Sequence, residues 1–321
     1  GLFDAMIGLP PSSSETIAER AGLAERYVRE WLAVMVTGEI VTYDAAAETY
    51  QLPAEHAAIL ARRAPLGNFA VPAQFVALMG AVQERILDCF ATGAGTTYDQ
   101  YPCFHRVMAE DSGQTVVDQL FETVLPLAPG LIQRLEQGID VMDAGCGRGL
   151  ALLAMVERFP KSRFLGINLC EEATDAAADE AAAKGLQNLL FDAQDLTGFE
   201  AHAAFDLVTS FDAVHDQQDP AGLIRMLHRA LRPGGVYLMQ DIGGSAKLEA
   251  NLDFPMAPLL YAISTTHCTP ISIGQGGPGL GTMWGWETAE AMLEETGFSN
   301  IQRHVLPHDP MNCLLYTSPS P

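Results

Sequence analysis

The spacing of apolar positions switches between helical and strand periods along the chain, and the switches mark its organisation. Ser14 is placed to cap a helix over Glu15–Ala21, and Gly22 then breaks the chain. Tyr27, Val28, Trp31, Leu32 and Met35 line one face of a second helix over Glu25–Val36, which Gly38 ends. Ile40–Tyr43 and Thr49–Leu52, parted by Asp44–Glu48, predict a two-stranded wing. From Gly67 to Gln137 the period is helical, interrupted at Thr92–Thr97 and by Pro102, Pro126 and Pro129. Beyond Gly138, strands are predicted at Asp140–Ala144, Arg163–Asn168, Leu189–Asp192, Phe205–Phe211 and Val236–Asp241. Helices fall between them at Leu150–Phe159, Glu171–Lys184 and Asp219–Leu231. This alternation predicts an α/β fold with a doubly wound, mostly parallel sheet. Gly243–Gly285, rich in Gly, Pro, Ser and Thr, is expected to cover the carboxyl ends of the strands. A helix over Glu287–Thr296, a strand over Ile301–Leu306 and a return strand from Asn312 follow. Prolines near the terminus remove ladder donors, so Thr317–Pro321 is set aside as a non-native tail and the last strand is expected to stop near Cys313. The expected domains are a winged helix over 1–66, a helical insert over 67–137, and a sheet domain over 138–316 with its cover at 243–285.

A length of 321 residues suits about two domains, and 48% hydrophobic with 18% charged residues excludes a disordered chain. Lys and Arg number 18 against 40 Asp and Glu, a formal charge of −22 that repels phosphate backbones. A DNA-reading winged helix needs basic residues on its second helix and wing. This one carries Glu25, Arg26, Arg29 and Glu30 on the helix and Asp44 and Glu48 in the wing. Dimerisation or scaffolding is therefore the favoured role for that domain, with no nucleic-acid partner. Gly1–Ile7 lacks the pattern of a signal peptide, and the opening Gly suggests a start inside a longer gene product. The longest mostly apolar stretch, Phe69–Val82, is too short to cross a bilayer and carries Pro72 and Gln74. Six scattered cysteines with no C-x-x-C pair fit reduced thiols in a cytoplasmic enzyme, and no metal site is read from the spacing.

The strongest chemical signal is Val141-Met-Asp-Ala-Gly-Cys-Gly-Arg-Gly149, an apolar strand ending in an acid and entering a glycine loop and a helix. Its glycines follow G-x-G-x-G, whereas a dinucleotide loop needs a glycine where Leu150 stands. Asp143 would oppose a pyrophosphate and suits a ligand bearing an ammonium group. An NAD(P)-dependent oxidoreductase is thus the weaker reading. The chain resembles the class I S-adenosylmethionine-dependent methyltransferases, with a Rossmann-like sheet. The resemblance rests on Asp143–Gly149, Phe164–Asn168, Phe191–Leu196, Phe205–Asp212 and Leu231-Arg-Pro-Gly-Gly235. Glu25–Trp31, Phe211–Asp216 and Gly279–Gly285 are similar to a two-domain subgroup with an N-terminal winged helix.

The resemblance implies that Asp143, Gly145 and Gly147 hold the methionine part of the cofactor. Asn168, where the family usually has an acid, would bind the ribose beside Leu169. Asp195 and Leu196 would meet the adenine, and Phe211 would lie near the sulfonium or the methionine chain. The expected reaction is methyl transfer from S-adenosylmethionine to a small-molecule oxygen or nitrogen, by a homodimer. A regulator that binds this cofactor and reads DNA through the winged helix is the other alternative. His215, just past the fourth sheet strand, is the candidate base, since its ordinary pKa near 6.5 suits proton removal. Tyr98, Tyr101, His105, His267, Trp284 and Trp286 are candidate walls of an acceptor pocket.

Overall fold

The computed structural model describes residues 1–62 and 67–319. The chain divides into two compact units, Gly1–Gln74 and Phe75–Pro321. The expected 66/67 boundary adjoins residues outside the described ones, and most of the helices expected over 67–137 belong to the second unit.

The first unit is a winged helix. Helix Ser14–Ala21 is capped by Ser13, whose hydroxyl accepts from the Thr16 amide, rather than by Ser14. Ser14 is free to donate to Glu25 on the next helix, at 2.6 Å, which ties the two helices together. That next helix runs Glu25–Thr37 and ends at Gly38. The wing pairs β1 (Thr42–Asp44) with β2 (Thr49–Gln51) antiparallel. Ile17, Val28, Leu32, Val41 and Leu52 form its core. Tyr27, placed on the apolar face by periodicity, instead stands 80% exposed. Arg26 pairs with Glu30 and Arg29 with Glu25 one turn away, so the two arginines of this helix are neutralised within it and present no basic face.

The second unit is built on a seven-stranded sheet. Its strands are β3 (Asp140–Ala144), β4 (Arg163–Asn168), β5 (Leu189–Ala193), β6 (Phe205–Phe211), β7 (Leu231–Ile242), β8 (Phe298–Val305) and β9 (Asn312–Pro319), in the spatial order β5-β4-β3-β6-β7-β9-β8. The first five are parallel, and β9 is antiparallel to both β7 and β8. Neighbouring residues on the central strands face opposite layers. Val141, Leu207 and Leu238 join one core with Leu152 and Val156 of helix Leu150–Arg158. Met142, Val208 and Met239 join another with Leu223 and Leu227 of helix Pro220–Ala230. Helices cover both faces, which is why the central strands read as continuous apolar runs.

One expectation is corrected at the carboxyl end. β9 does not stop near Cys313 but pairs through Thr317, Ser318 and Pro319. Thr317 is buried and its hydroxyl donates to the Ser299 carbonyl at 2.9 Å. A proline at the last rung forfeits a single ladder donor, so it ends the strand without preventing it. Residues 320–321 of the expected tail lie outside the described ones.

The segment after β7 is more ordered than its composition suggests. It holds helices Ala257–Ile263 and Thr269–Gly274 joined by a π-helical turn, Ser264–Cys268. It packs over the exit of β6, where Gln275 donates to the Asp216 carbonyl and Ser272 to that of Gln217. Among the described residues, no helix is long and apolar enough to cross a membrane.

Candidate active site

The sheet reverses its winding direction between β3 and β6, the place where doubly wound sheets form a crevice at the strands' carboxyl ends. A pocket opens there. The β3 exit supplies Asp143, Gly145, Cys146, Gly147 and Arg148, β4 supplies Asn168, and the β6 exit supplies Phe211, Asp212, Ala213, Asp216 and Gln217. Helix Phe104–Thr115 closes the opposite side with Phe104, His105, Met108 and Ser112, and Tyr98 stands beside them.

The glycine loop is shaped by backbone requirements. Gly145 has φ +80°, and a Cβ there would lie 2.4 Å from that of Ala213. Gly147 has φ +52°, and a Cβ there would meet nothing within 4 Å, so its open side leaves room for close approach to the backbone. Asp143 is 2% exposed and accepts from the Thr209 hydroxyl at 2.8 Å. Burial pushes its carboxyl up to about 7 despite that hydrogen bond. The Asn168 Nδ2 is buried without a hydrogen-bond partner. A group carrying both a cation and hydroxyl acceptors fits these residues, because it would answer the Asp143 charge and the Asn168 donor together.

Phe211 also lines the pocket, whereas Leu169, Asp195 and Leu196 lie outside its lining. Asp195 caps the short turn Leu196–Gly198, its Oδ1 accepting from the Thr197 amide at 2.8 Å. Leu196 is buried in the core, and Leu169 is 48% exposed.

His215 does not reach the pocket wall. It is 3% exposed, with Nδ1 2.7 Å from Asp241 Oδ1 and Nε2 3.3 Å from Asp216 Oδ1. Burial alone would lower its pKa, but the Asp241 and Asp216 carboxylates outweigh it and hold the imidazole well above its ordinary value. The candidate base His215 is thus enclosed between two carboxylates. Its two nitrogens face carboxylates, and the pocket-lining member of the trio is Asp216.

Of the expected acceptor walls, only Tyr98 and His105 line the pocket. Tyr101 is buried, its hydroxyl donating to the Thr266 carbonyl and meeting Thr96. His267 stacks on Phe104 at 4.0 Å, and burial lowers its pKa to about 4. Trp284 donates to Asp241 Oδ1 at 3.0 Å from within the core, and Trp286 lies under Arg303. Phe104, Met108 and Ser112 were missed, although their i, i+4, i+8 spacing on one helix was readable. Among the described residues, two groups of ligand-type atoms lie within 4.8 Å of one another, His105/Cys170/Glu172 and His215/Asp216/Cys268. Both are engaged internally, through Arg148 on Glu172 and through Asp241 on His215 and Thr282 on Cys268.

A family model described as a methyltransferase domain matches residues 135–297, half of the chain. The chain belongs to that methyltransferase family. Residues 1–62 of this methyltransferase match an Rv2258c-like winged HTH domain. Among curated relatives, the ubiquinone biosynthesis O-methyltransferase of Leptothrix cholodnii is 30% identical over 34% of this chain and 47% of its own length. The trans-aconitate 2-methyltransferase of Deinococcus radiodurans is 35% identical over 32% of this chain and 37% of its own. The matches span about half the length of such relatives. Solved structures share the fold across both units. An O-methyltransferase family protein from Burkholderia thailandensis superposes with TM-score 0.67 at 14% identity, covering 99% of this chain and 92% of that one. Human N-acetylserotonin methyltransferase in complex with SAM does so at 0.67 and 13%, covering 100% and 91%. These matches do not favour the oxidoreductase or the DNA-reading alternative.

Proposed function

We propose that this methyltransferase moves a methyl group from S-adenosylmethionine to an oxygen or nitrogen of a small molecule. The observation that carries the reading is the convergence of Asp143, the Gly145–Gly147 loop and the unpaired Asn168 amide on one pocket at the sheet's switch point. Asp143 and the loop would hold the methionine part, Asn168 the ribose, and Leu169, Asp195 and Leu196 the outer, adenine end. When bound, the cofactor supplies an activated methyl whose thioether leaving group needs no proton.

The chain's own work is then to align the acceptor and to accept its proton. Phe104, Met108 and Tyr98 would form an apolar wall that orients the acceptor and keeps water out. The proton would pass to the Asp216–His215–Asp241 trio through its pocket-side member, Asp216. With the imidazole protonated between two carboxylates, the trio keeps one net negative charge and acts as a single proton-accepting unit. His215 is in this reading a positioning residue that holds Asp216 toward the acceptor, and Asp241 holds His215.

The winged-helix unit would build a homodimer. Leu23, Tyr27 and Val34 support this, being 52%, 80% and 60% exposed on and beside its second helix, where an apolar stripe invites a partner. Six unpaired cysteines accord with a cytoplasmic setting. Calorimetry with S-adenosylhomocysteine tests the central claim. The wild type should bind and Asp143→Ala should lose most of the affinity; a folded wild type that does not bind ends the reading.

A further inference from the structure

Among the described residues, three carboxylates line the pocket with one arginine, Arg148, whose Nη2 is held by Glu172 at 2.7 Å while its Nε is buried without a hydrogen-bond partner. The three acids differ in how their oxygens are used. Asp143 accepts from Thr209. Asp216 has Oδ1 without a hydrogen-bond partner but 3.3 Å from His215 Nε2, Oδ2 3.7 Å from His267 Nδ1, and its carboxylate lies beside the Tyr98 hydroxyl. Asp212 has one oxygen, Oδ2, at 3.3 Å from the Asn312 amide, while Oδ1 is buried with no hydrogen-bond partner. A desolvated carboxylate oxygen without a donor is costly, and such atoms in a binding pocket mark where a ligand donor goes.

The backbone holds Asp212 in this place. It directly follows β6, its amide donates to the Gln240 carbonyl at 3.0 Å, and its φ of +51° lies in the left-handed region that few non-glycine residues adopt. A glycine or asparagine would hold that turn with less strain, so the carboxylate is not what the backbone alone would select. Nor does its packing supply a cation. The charged groups around it are Asp241, Asp309, Asp111 and the already shared His215.

Building on the cofactor reading above, we infer that Asp212 is the second carboxylate, beside Asp143, that grips the ammonium group of the cofactor's amino-acid arm. An ammonium carries three donors, enough to serve oxygens on both acids at once. Its charge would also relieve the crowding of Asp212 by Asp241 and Asp309.

The test compares two ligands that share the adenosine and differ in the arm. S-adenosylhomocysteine has the amino-acid part; 5′-methylthioadenosine lacks it. Calorimetry on Asp212→Asn, a residue suited to the left-handed backbone, should give a dissociation constant for S-adenosylhomocysteine raised roughly 10- to 100-fold. Methylthioadenosine should bind as it does to the wild type. Unchanged S-adenosylhomocysteine affinity would overturn the inference while leaving the cofactor assignment intact, and an equal loss for both ligands would overturn it as general damage to the pocket. A wild type that binds neither ligand removes the cofactor reading and this inference together. Thermal melts monitor folding, and Asp212→Gly, which is also free to take the positive φ, serves if the asparagine variant does not fold.

Discussion

His215 Nδ1 lies 2.7 Å from Asp241 Oδ1, and that same oxygen also accepts from Trp284 Nε1 and the Ile242 amide. Three donors converging on one carboxylate oxygen fix the ring orientation, as in carboxylate–histidine pairs generally. Removing the imidazole leaves Asp216 and Asp241 buried without their cation. His215→Ala should therefore destabilise the protein by about 3–5 kcal/mol. It should also reduce kcat with a true acceptor at a temperature where the variant is folded. Full kcat in the folded variant would exclude the proton-accepting trio.

The His215 shift also sets a pH dependence. Its folded pKa lies above the unfolded value, so the stability it contributes is complete below about pH 6.5 and is lost as pH rises through the folded pKa. In Asp241→Asn the carboxylate chiefly responsible is gone, and this loss should begin at lower pH. Thermal melts from pH 6 to pH 10 on both proteins read the displacement.

Asp143 behaves in the same sense for a different reason. Burial raises its carboxyl from 3.8 to about 7, so the stability tied to its neutral form is full below its unfolded pKa and falls as pH rises toward about 7. A bound ammonium reverses that cost by pairing with the ionised form. The thermal shift produced by S-adenosylhomocysteine should be larger at pH 8 than at pH 6, and Asp143→Asn should flatten the difference.

Gly145 and Gly147 separate folding from binding. Gly145→Ala places a Cβ 2.4 Å from the Ala213 Cβ at a positive φ, and chemical denaturation should show a loss of roughly 1–3 kcal/mol or more. Gly147→Ala meets no atom within 4 Å, so its cost is the backbone strain alone, about 1–2 kcal/mol. Its added methyl group borders the pocket, and S-adenosylhomocysteine affinity should fall although the fold persists.

Tyr27→Glu with Val34→Glu places charge on the exposed stripe of the winged helix. Light scattering should report a dimer for the wild type and a monomer for the double variant. An unchanged mass for the double variant would remove this helix face from the interface.

Much of the architecture was legible along the chain because local patterns and tertiary demands agree there. The parallel strands are buried on both faces, so Val141, Met142, Leu207, Val208, Leu238 and Met239 form apolar runs whatever lies around them. The glycine loop was equally legible, since positive φ leaves few residue choices. The end of β9 was not, because the loss from a proline depends on which rung it occupies.

The sequence by itself determined the order of the sheet's elements, the strand–glycine–helix loop and an acid at its entrance. Only the tertiary structure decided what each polar side chain does. His215 and Trp284 carry the same residue types wherever they fall, but packing turned both onto Asp241. Asp212 became a pocket acid with an unpaired oxygen because β6, β7 and β9 meet around it. Burial and partners are relations between distant segments, and a linear pattern encodes them only where they coincide with a local period.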